Sequence, residues 1–268
     1  MTNLLRIIVG LVIAFLVFPL VFVVLTSFGA SPVMVFPPKA FTFDWYRNIP
    51  PAFVASLKIS LIVATLTALI ATVVGTGAAL ALSRGRSRGL KALGAFTLSP
   101  LMVPTLVAAV ALYQFFGIFW DLTGIELVGT LIGIIAGHTA YAIPYVVRAL
   151  TAAHAHFDYT LEEAALSLGA SRWRTAISVT FPVLLPGIIS GALFAFLVSM
   201  DDLPIALFLT GGEATTTLPV RIYTSIEYSL NPSVMAISAL LVYGAIAVVV
   251  ILDRTLGMER LLSGGRNY

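Results

Sequence analysis

The amino-acid sequence predicts an all-α, polytopic transmembrane helical bundle of six spans with both termini in the cytoplasm. Three observations lead there. Of 268 residues, 59% are hydrophobic and only 10% are charged, whereas a soluble domain carries about 25% charge. Six apolar runs have the length of about 20 residues that crosses a hydrocarbon layer of about 30 Å. The basic residues sort to alternate sides of those runs, as cytoplasmic loops rich in Lys and Arg do.

The runs fall at about 7–27, 57–82, 95–117, 128–150, 183–210 and 233–253, in a single transmembrane domain over 1–268. A segment in lipid must satisfy its own backbone hydrogen bonds, and a helix does so. The ten-residue alternation of a membrane β-barrel is missing from the pattern. The first run is longer than the apolar core of a signal peptide and is read as a span. Pro19, Pro100, Pro104, Pro144 and Pro204 mark expected kinks or helix ends. Gly75, Gly77, Gly133, Gly137, Gly187 and Gly191 are expected to let helices approach closely. The fifth run is interrupted by Asp201 and Asp202.

Orientation follows from charge. Arg6, Arg84, Arg86, Arg88, Lys91, Arg148, Arg172, Arg174, Arg254, Arg260 and Arg266 fall on one side, and Lys39, Arg47, Lys58 and Arg221 on the other. The richer side is assigned to the cytoplasm, and the 83–91 loop is its sharpest marker. A net charge of +3 with no basic stripe on a polar fold gives no reason to expect nucleic acid. There are no cysteines, which excludes disulfides and thiolate chemistry. The outer loop over 28–53, with Pro32, Pro37, Pro38, Pro50 and Pro51 among aromatic residues, is expected to be ordered but irregular.

The segment 154–182 differs from everything around it. It is too polar to cross a membrane and too patterned for a linker. Thr160-Leu-Glu-Glu163 has the form of a capping box. Leu161, Ala164, Ala165 and Leu168 share one helical face. Gly169 stands where a left-handed cap ends a helix. Ser171 is placed to cap a second helix through Trp173 and Ile177 to Pro182. The expectation is a helix, a glycine turn and another helix at or below the membrane surface.

These residues carry a resemblance. Glu163-Ala-Ala-x-x-x-Gly169, then Val179-x-Phe-Pro182, resembles the EAA loop of binding-protein-dependent ABC importer permeases. That pattern runs Glu-Ala-Ala, three residues, Gly, nine residues, Ile-x-Leu-Pro. The spacing and the proline are kept, with Val179 for the Ile and Phe181 for the Leu. The resemblance implies coupling helices that dock on a separate ATPase. Ala164, Ala165 and Leu168 would form the docking face, Gly169 the turn, and Pro182 the start of span five. Glu163 would pair with a basic group on the ATPase or serve the cap. It also implies a second permease, similar or identical, two ATPase subunits and an extracytoplasmic solute-binding protein, in a bacterial inner membrane. ATP and Mg would sit on the ATPase, with no cofactor or metal in this chain. None of Lys39, Lys58 and Lys91 follows a glycine, so no phosphate-binding Gly-Lys-Ser/Thr core is present. The chain is not expected to be an enzyme.

Ser199-Met-Asp-Asp202, Thr217-Leu-Pro-Val-Arg-Ile-Tyr223 and Asn231-Pro-Ser-Val-Met-Ala-Ile-Ser238 are similar to the spermidine/putrescine group of these permeases. Iron and sulfate permeases, and those for other organic cations or amino-acid-like compounds, share parts of the pattern. Asp201 and Asp202 lie roughly 24 Å along a helix beyond Pro186, at 1.5 Å per residue. An ionised Asp in lipid is unfavourable by about 2.5–3.5 kcal/mol, so it should face a wet cavity or a cation. A helix-end or subunit-interface role, with Arg221 as a partner, stays open. Adjacent residues point about 100° apart, so at most one of the pair is expected to face a substrate pathway. His138 is expected to make a structural hydrogen bond. His154 and His156 do not form a convincing metal site. Tyr113, Gln114 and Trp120 are candidate cavity residues. A stand-alone secondary transporter is the rival class, and would need no docking helix.

Overall fold

The computed structural model describes residues 2–31, 35–85, 87–155, 157–228 and 233–256. Pro32, Arg86, His156, Asn231, Pro232, Arg260 and Arg266 lie outside them, as do the side chains of Lys91 and Arg254. The described residues form helices in the order α1 (Thr2–Ser27), α2 (Asp44–Arg47), α3 (Pro51–Arg84), α4 (Arg88–Leu98), α5 (Thr105–Thr123), α6 (Leu131–His154), α7 (Thr160–Ser167), α8 (Arg172–Thr175), α9 (Phe181–Asp201), α10 (Pro204–Leu209), α11 (Leu218–Tyr228) and α12 (Ser233–Leu256). Short 3₁₀ turns cover Ser99–Met102 and Glu213–Thr215, and a π-helical turn covers Ala176–Thr180. The all-α expectation holds among these residues; the one extended pairing is an isolated bridge from Gly29 to Phe41.

Among the described residues, five helices are long and apolar enough to cross a membrane: Asn3–Ser27, Pro51–Arg84, Thr105–Thr123, Leu131–His154 and the continuous run Arg172–Asp201. The sixth expected span falls on α12, whose described apolar stretch, Ser233–Ala247, is shorter. The third span begins about ten residues later than the apolar run suggested. Pro100 sits in the 3₁₀ turn and Pro104 caps α5, so residues 95–98 belong to α4. Two prolines without free N–H groups, four residues apart, stop one helix and start the next. Pro19 and Pro144 are instead accommodated inside α1 and α6.

The chain divides into two units, 1–55 with 221–268, and 56–220. In the first, α1 packs against α12. The loop after α1 is ordered by its aromatic residues, as expected. Ser27 Oγ meets the Tyr46 hydroxyl at 2.6 Å, Trp45 Nε1 donates to the Gly29 carbonyl at 2.8 Å, and Phe28 stacks on Tyr46.

The second unit is built around α6, which packs along α9. One apolar cluster joins Ala68, Ala71 and Ala79 of α3 to Val146 and Leu150 of α6 and Ala195 of α9. A second joins Val63, Ala109, Phe116 and Ile134 to Ile205 and Leu209 of α10. Between helices in lipid, packing replaces the hydrophobic effect as the driving force, so small residues matter. A β-carbon at Gly187 would lie 2.6 Å from that of Ala153, and one at Gly75 would lie 2.8 Å from Val146. Gly191 also faces Val146 and Gly137 faces Leu209, whereas Gly77 has open space around it and no packing duty.

Candidate functional site: the 154–182 loop and the broken span

The loop begins where α6 ends. His154 is buried, with its ring 5.2 Å from Phe157 and 5.5 Å from Tyr159, and its Nδ1 is 3.2 Å from the Tyr159 hydroxyl. Asp158 then starts α7, its Oδ1 accepting from the Thr160 N–H at 2.9 Å. Hydrogen bonds from Thr160 hold the Asp158 carboxyl below the usual carboxylate range. The expected capping box does not form. Tyr159 occupies the cap, without a side-chain bond, and Thr160 is already the first helical residue. Asp158 takes the Thr160 amide that the Glu163 carboxylate would have reached back to, the Glu163 amide donates to the Tyr159 carbonyl, and the helix starts one residue earlier than the Thr-x-x-Glu pattern implied.

The end of α7 follows the expectation. Gly169 has φ +86°, in the left-handed region. The Ala170 N–H donates to the Ala165 carbonyl and the Gly169 N–H to Leu166. These paired bonds are the Schellman arrangement, which satisfies carbonyls left open at a helix end. Ser171 then caps α8 by accepting from the Arg174 N–H at 3.3 Å.

The second helix differs from expectation. It does not end at Pro182 as a separate surface helix. It continues through the Ala176–Thr180 π turn into α9, giving an unbroken Arg172–Asp201 element. Pro182 follows the π turn directly, inside the continuous helix, where it removes one backbone hydrogen bond. The wider π turn accommodates the register change ahead of it.

Glu163, Ala164, Leu168, Gly169 and Pro182 are exposed, and Ala165 is half-buried. Leu168 is 90% exposed, and Trp173 is 73% exposed. Trp173 was read only as part of the second helix. Its exposure on a helix that starts at the Gly169 turn is a tertiary fact. Glu162 was not singled out either, yet it points inward. Its Oε1 accepts from Arg84 Nη2 at 2.7 Å and from the Thr180 hydroxyl. A cavity of about 270 Å³ opens beside this carboxylate, lined by Arg84, Tyr159, Arg172, Thr175 and Thr180. A 100° step along α7 separates the inward Glu162 from the outward Glu163. No one-dimensional pattern distinguishes the two.

The aspartate pair lies at a break in the fifth span. α9 stops at Asp201, and α10 starts at Pro204. Asp202 Oδ1 accepts from the N–H groups of Ile205 at 2.9 Å and Ala206 at 3.1 Å. His138 Nε2 is 3.5 Å away, and His138 Nδ1 meets Ser199 Oγ at 2.8 Å. Ser199, His138 and Asp202 are all buried, whereas Asp201 is exposed. The two aspartates therefore point apart, with Asp202 committed to the helix break. Tyr113, Gln114 and Trp120 lie on the exposed side of α5, and the Tyr113 ring meets Phe208 at 6.2 Å. Among the described residues, no group of three His, Asp or Glu side chains is placed to hold a metal ion.

A helical bundle with an exposed, glycine-terminated loop before a broken apolar helix describes a transport permease. The chain belongs to the family of binding-protein-dependent transport system inner membrane components, which it matches over residues 71–257. It is a multi-pass protein of the bacterial inner membrane. It is 32% identical to the putrescine transport system permease protein PotI of Escherichia coli (strain K12), over 88% of this chain and 84% of that one. It is 29% identical to the spermidine/putrescine transport system permease protein PotC of Haemophilus influenzae, over 90% and 91%. Among solved structures, a bacterial ABC transporter involved in the import of the acidic polysaccharide alginate matches with a TM-score of 0.71 at 17% identity, over 95% of both chains. That likeness speaks for the fold alone.

Proposed function

We propose that the chain is the permease subunit of an ATP-driven importer of a polyamine such as spermidine or putrescine. It pairs with a second permease, two ATPase subunits and an extracytoplasmic solute-binding protein. ATP and Mg are handled by the ATPase. α12 serves as the sixth span, both termini lie in the cytoplasm, and the 154–182 loop faces the ATPase.

One observation carries this reading: α7, exposed and bounded by the Gly169 turn, leads into a helix that runs unbroken into the fifth span. A rigid element of this kind can carry displacement from a docked motor to a gate. Glu163, Ala164, Ala165 and Leu168 then form the docking face, and the two conformations of the bundle differ in how the motor holds it. The polyamine assignment rests on the relatives' named solutes and on Asp201. An exposed carboxylate beside an apolar helix is unfavourable unless it meets water or a cation, and an ammonium group suits it.

The test is uptake by proteoliposomes holding the full complex. ATP-dependent accumulation of labelled putrescine, competed by spermidine and unaffected by sulfate, is the expected result. Indifference to both polyamines overturns the substrate assignment. Uptake that persists without ATP favours a stand-alone transporter instead.

A further inference from the structure

α7 has no buried residue. Apolar burial therefore does not hold it to the rest of its unit, unlike the clusters that bind α3, α6 and α9 together. What does reach it from the adjoining elements is polar. The Glu162 carboxylate accepts from Arg84, the last residue of α3, and from Thr180, the last residue of the π turn that leads into α9. One oxygen atom thus joins three elements, two of which are membrane spans or lead directly into one. The Glu162 side chain is 16% exposed and Thr180 is 1% exposed, whereas Arg84 is 48% exposed, so the Thr180 side of the clamp is withdrawn from water and the Arg84 side is not. The bond from Thr180 is the sheltered one, and the ion pair with Arg84 is partly screened by solvent. The cavity beside it leaves room for the carboxylate and guanidinium to shift together.

We propose that Glu162 is the positioning residue that transmits motion of the coupling helix to spans two and five, through Arg84 and Thr180. The neighbouring Glu163 is left free to face the ATPase. The inference rests on the proposed permease function and assigns, within it, a role distinct from docking. If the clamp is cut, α7 still binds the motor but slips against the spans when the motor closes.

The experiment compares wild type, Glu162→Gln, Arg84→Gln and the charge swap Arg84→Glu with Glu162→Arg, each in the reconstituted full complex. Three quantities are read: ATPase subunit retained, ATP hydrolysed, and solute transported per ATP. The expected result is that the single variants keep the ATPase subunit, while transport per ATP falls about tenfold, within the range that coupling between sites spans. The swap should recover most of that loss. Single variants with wild-type transport per ATP overturn the proposal. So does loss of the ATPase subunit, because Glu162 would then belong to the docking surface. A swap no better than the single variants overturns the pairing with Arg84. Thr180→Val, remote from the docking face, should lower the same ratio, and an unchanged ratio there removes Thr180 from the clamp. A wild-type complex without ATP-driven transport would sink the permease reading itself, which keeps the two failures distinct.

Discussion

Two helix breaks in this protein satisfy open backbone groups by different means. α7 ends at Gly169 in exposed surroundings, where backbone hydrogen bonds and a positive φ serve its last carbonyls. Between α9 and α10, the buried side chain of Asp202 accepts the Ile205 and Ala206 N–H groups left open at the start of α10. Near water, a turn needs only backbone freedom, because solvent can satisfy whatever the turn does not. Among apolar side chains, every donor needs a built acceptor, because an unpaired one is strongly unfavourable. The first end can move at small expense, whereas the second locks α10 in place.

The largest effect should come from removing the built acceptor. Asp202→Ala leaves the Ile205 and Ala206 amides without their acceptor and removes the carboxylate 3.5 Å from His138, and should destabilise the protein by about 3 kcal/mol. Thermal unfolding in detergent measures this. Asp202→Asn keeps an oxygen in place and should lose less than half as much. Equal losses would mean that the charge facing His138, and not the cap, matters at the break.

Next is the close packing of α6 against α9. Gly187→Leu would force side-chain atoms into Ala153 and should lower stability by about 1–3 kcal/mol. Yield of monodisperse protein and its melting point report it. The exposed end should respond less. Gly169→Val places a β-branched residue at φ +86° and is unfavourable by about 1–2 kcal/mol. Gly169→Asn should be nearly neutral, because Asn tolerates that conformation. Because no β-carbon clash awaits at Gly169, the valine penalty should stay local. It should appear as faster amide exchange over 160–170 and weaker retention of the ATPase subunit. A fall in global melting point as large as that of Asp202→Ala would break the comparison.

Smaller still is Asp201→Asn. An exposed residue away from the cap should change stability by less than about 0.5 kcal/mol, while polyamine uptake falls. Unchanged uptake would remove Asp201 from the pathway. The smallest effect is on pH. Asp158 has its carboxyl held low by Thr160, so its folded value lies below its unfolded value. Its contribution to the start of α7 is therefore present above about pH 4 and lost as acid protonates the folded carboxylate. The protection factor of the Thr160 amide should fall on acidification, and Asp158→Asn should flatten that fall.

Much of this was legible in advance, and the exceptions have a common cause. The apolar runs over 7–27, 57–82, 128–150 and 183–210 and the Gly169 turn are local signals, and each falls on an observed helix or helix end. The third span was misplaced because 95–104 is as apolar as a span, and only the geometry at Pro100 and Pro104 separates α4 from α5. The capping box failed because Asp158, outside the four-residue pattern, takes the Thr160 amide that Glu163 would have served. The second loop helix was expected to stop at Pro182, and the π turn carried it onward.

By itself the sequence determined that this chain is helical, lipid-facing and built around one polar loop, because composition and periodicity act over a few residues and need no partner. It also determined that a left-handed cap ends the helix at 169, because the demand of such a cap is local. Only the tertiary structure decided that Glu162 turns in toward Arg84 and Thr180 while Glu163 turns out, and that Asp202 is a buried cap while Asp201 is exposed. Each pair is the same residue type at adjacent positions. What separates its members is the direction in which the helix is rotated by its packing, and that direction is set by residues far away in the chain.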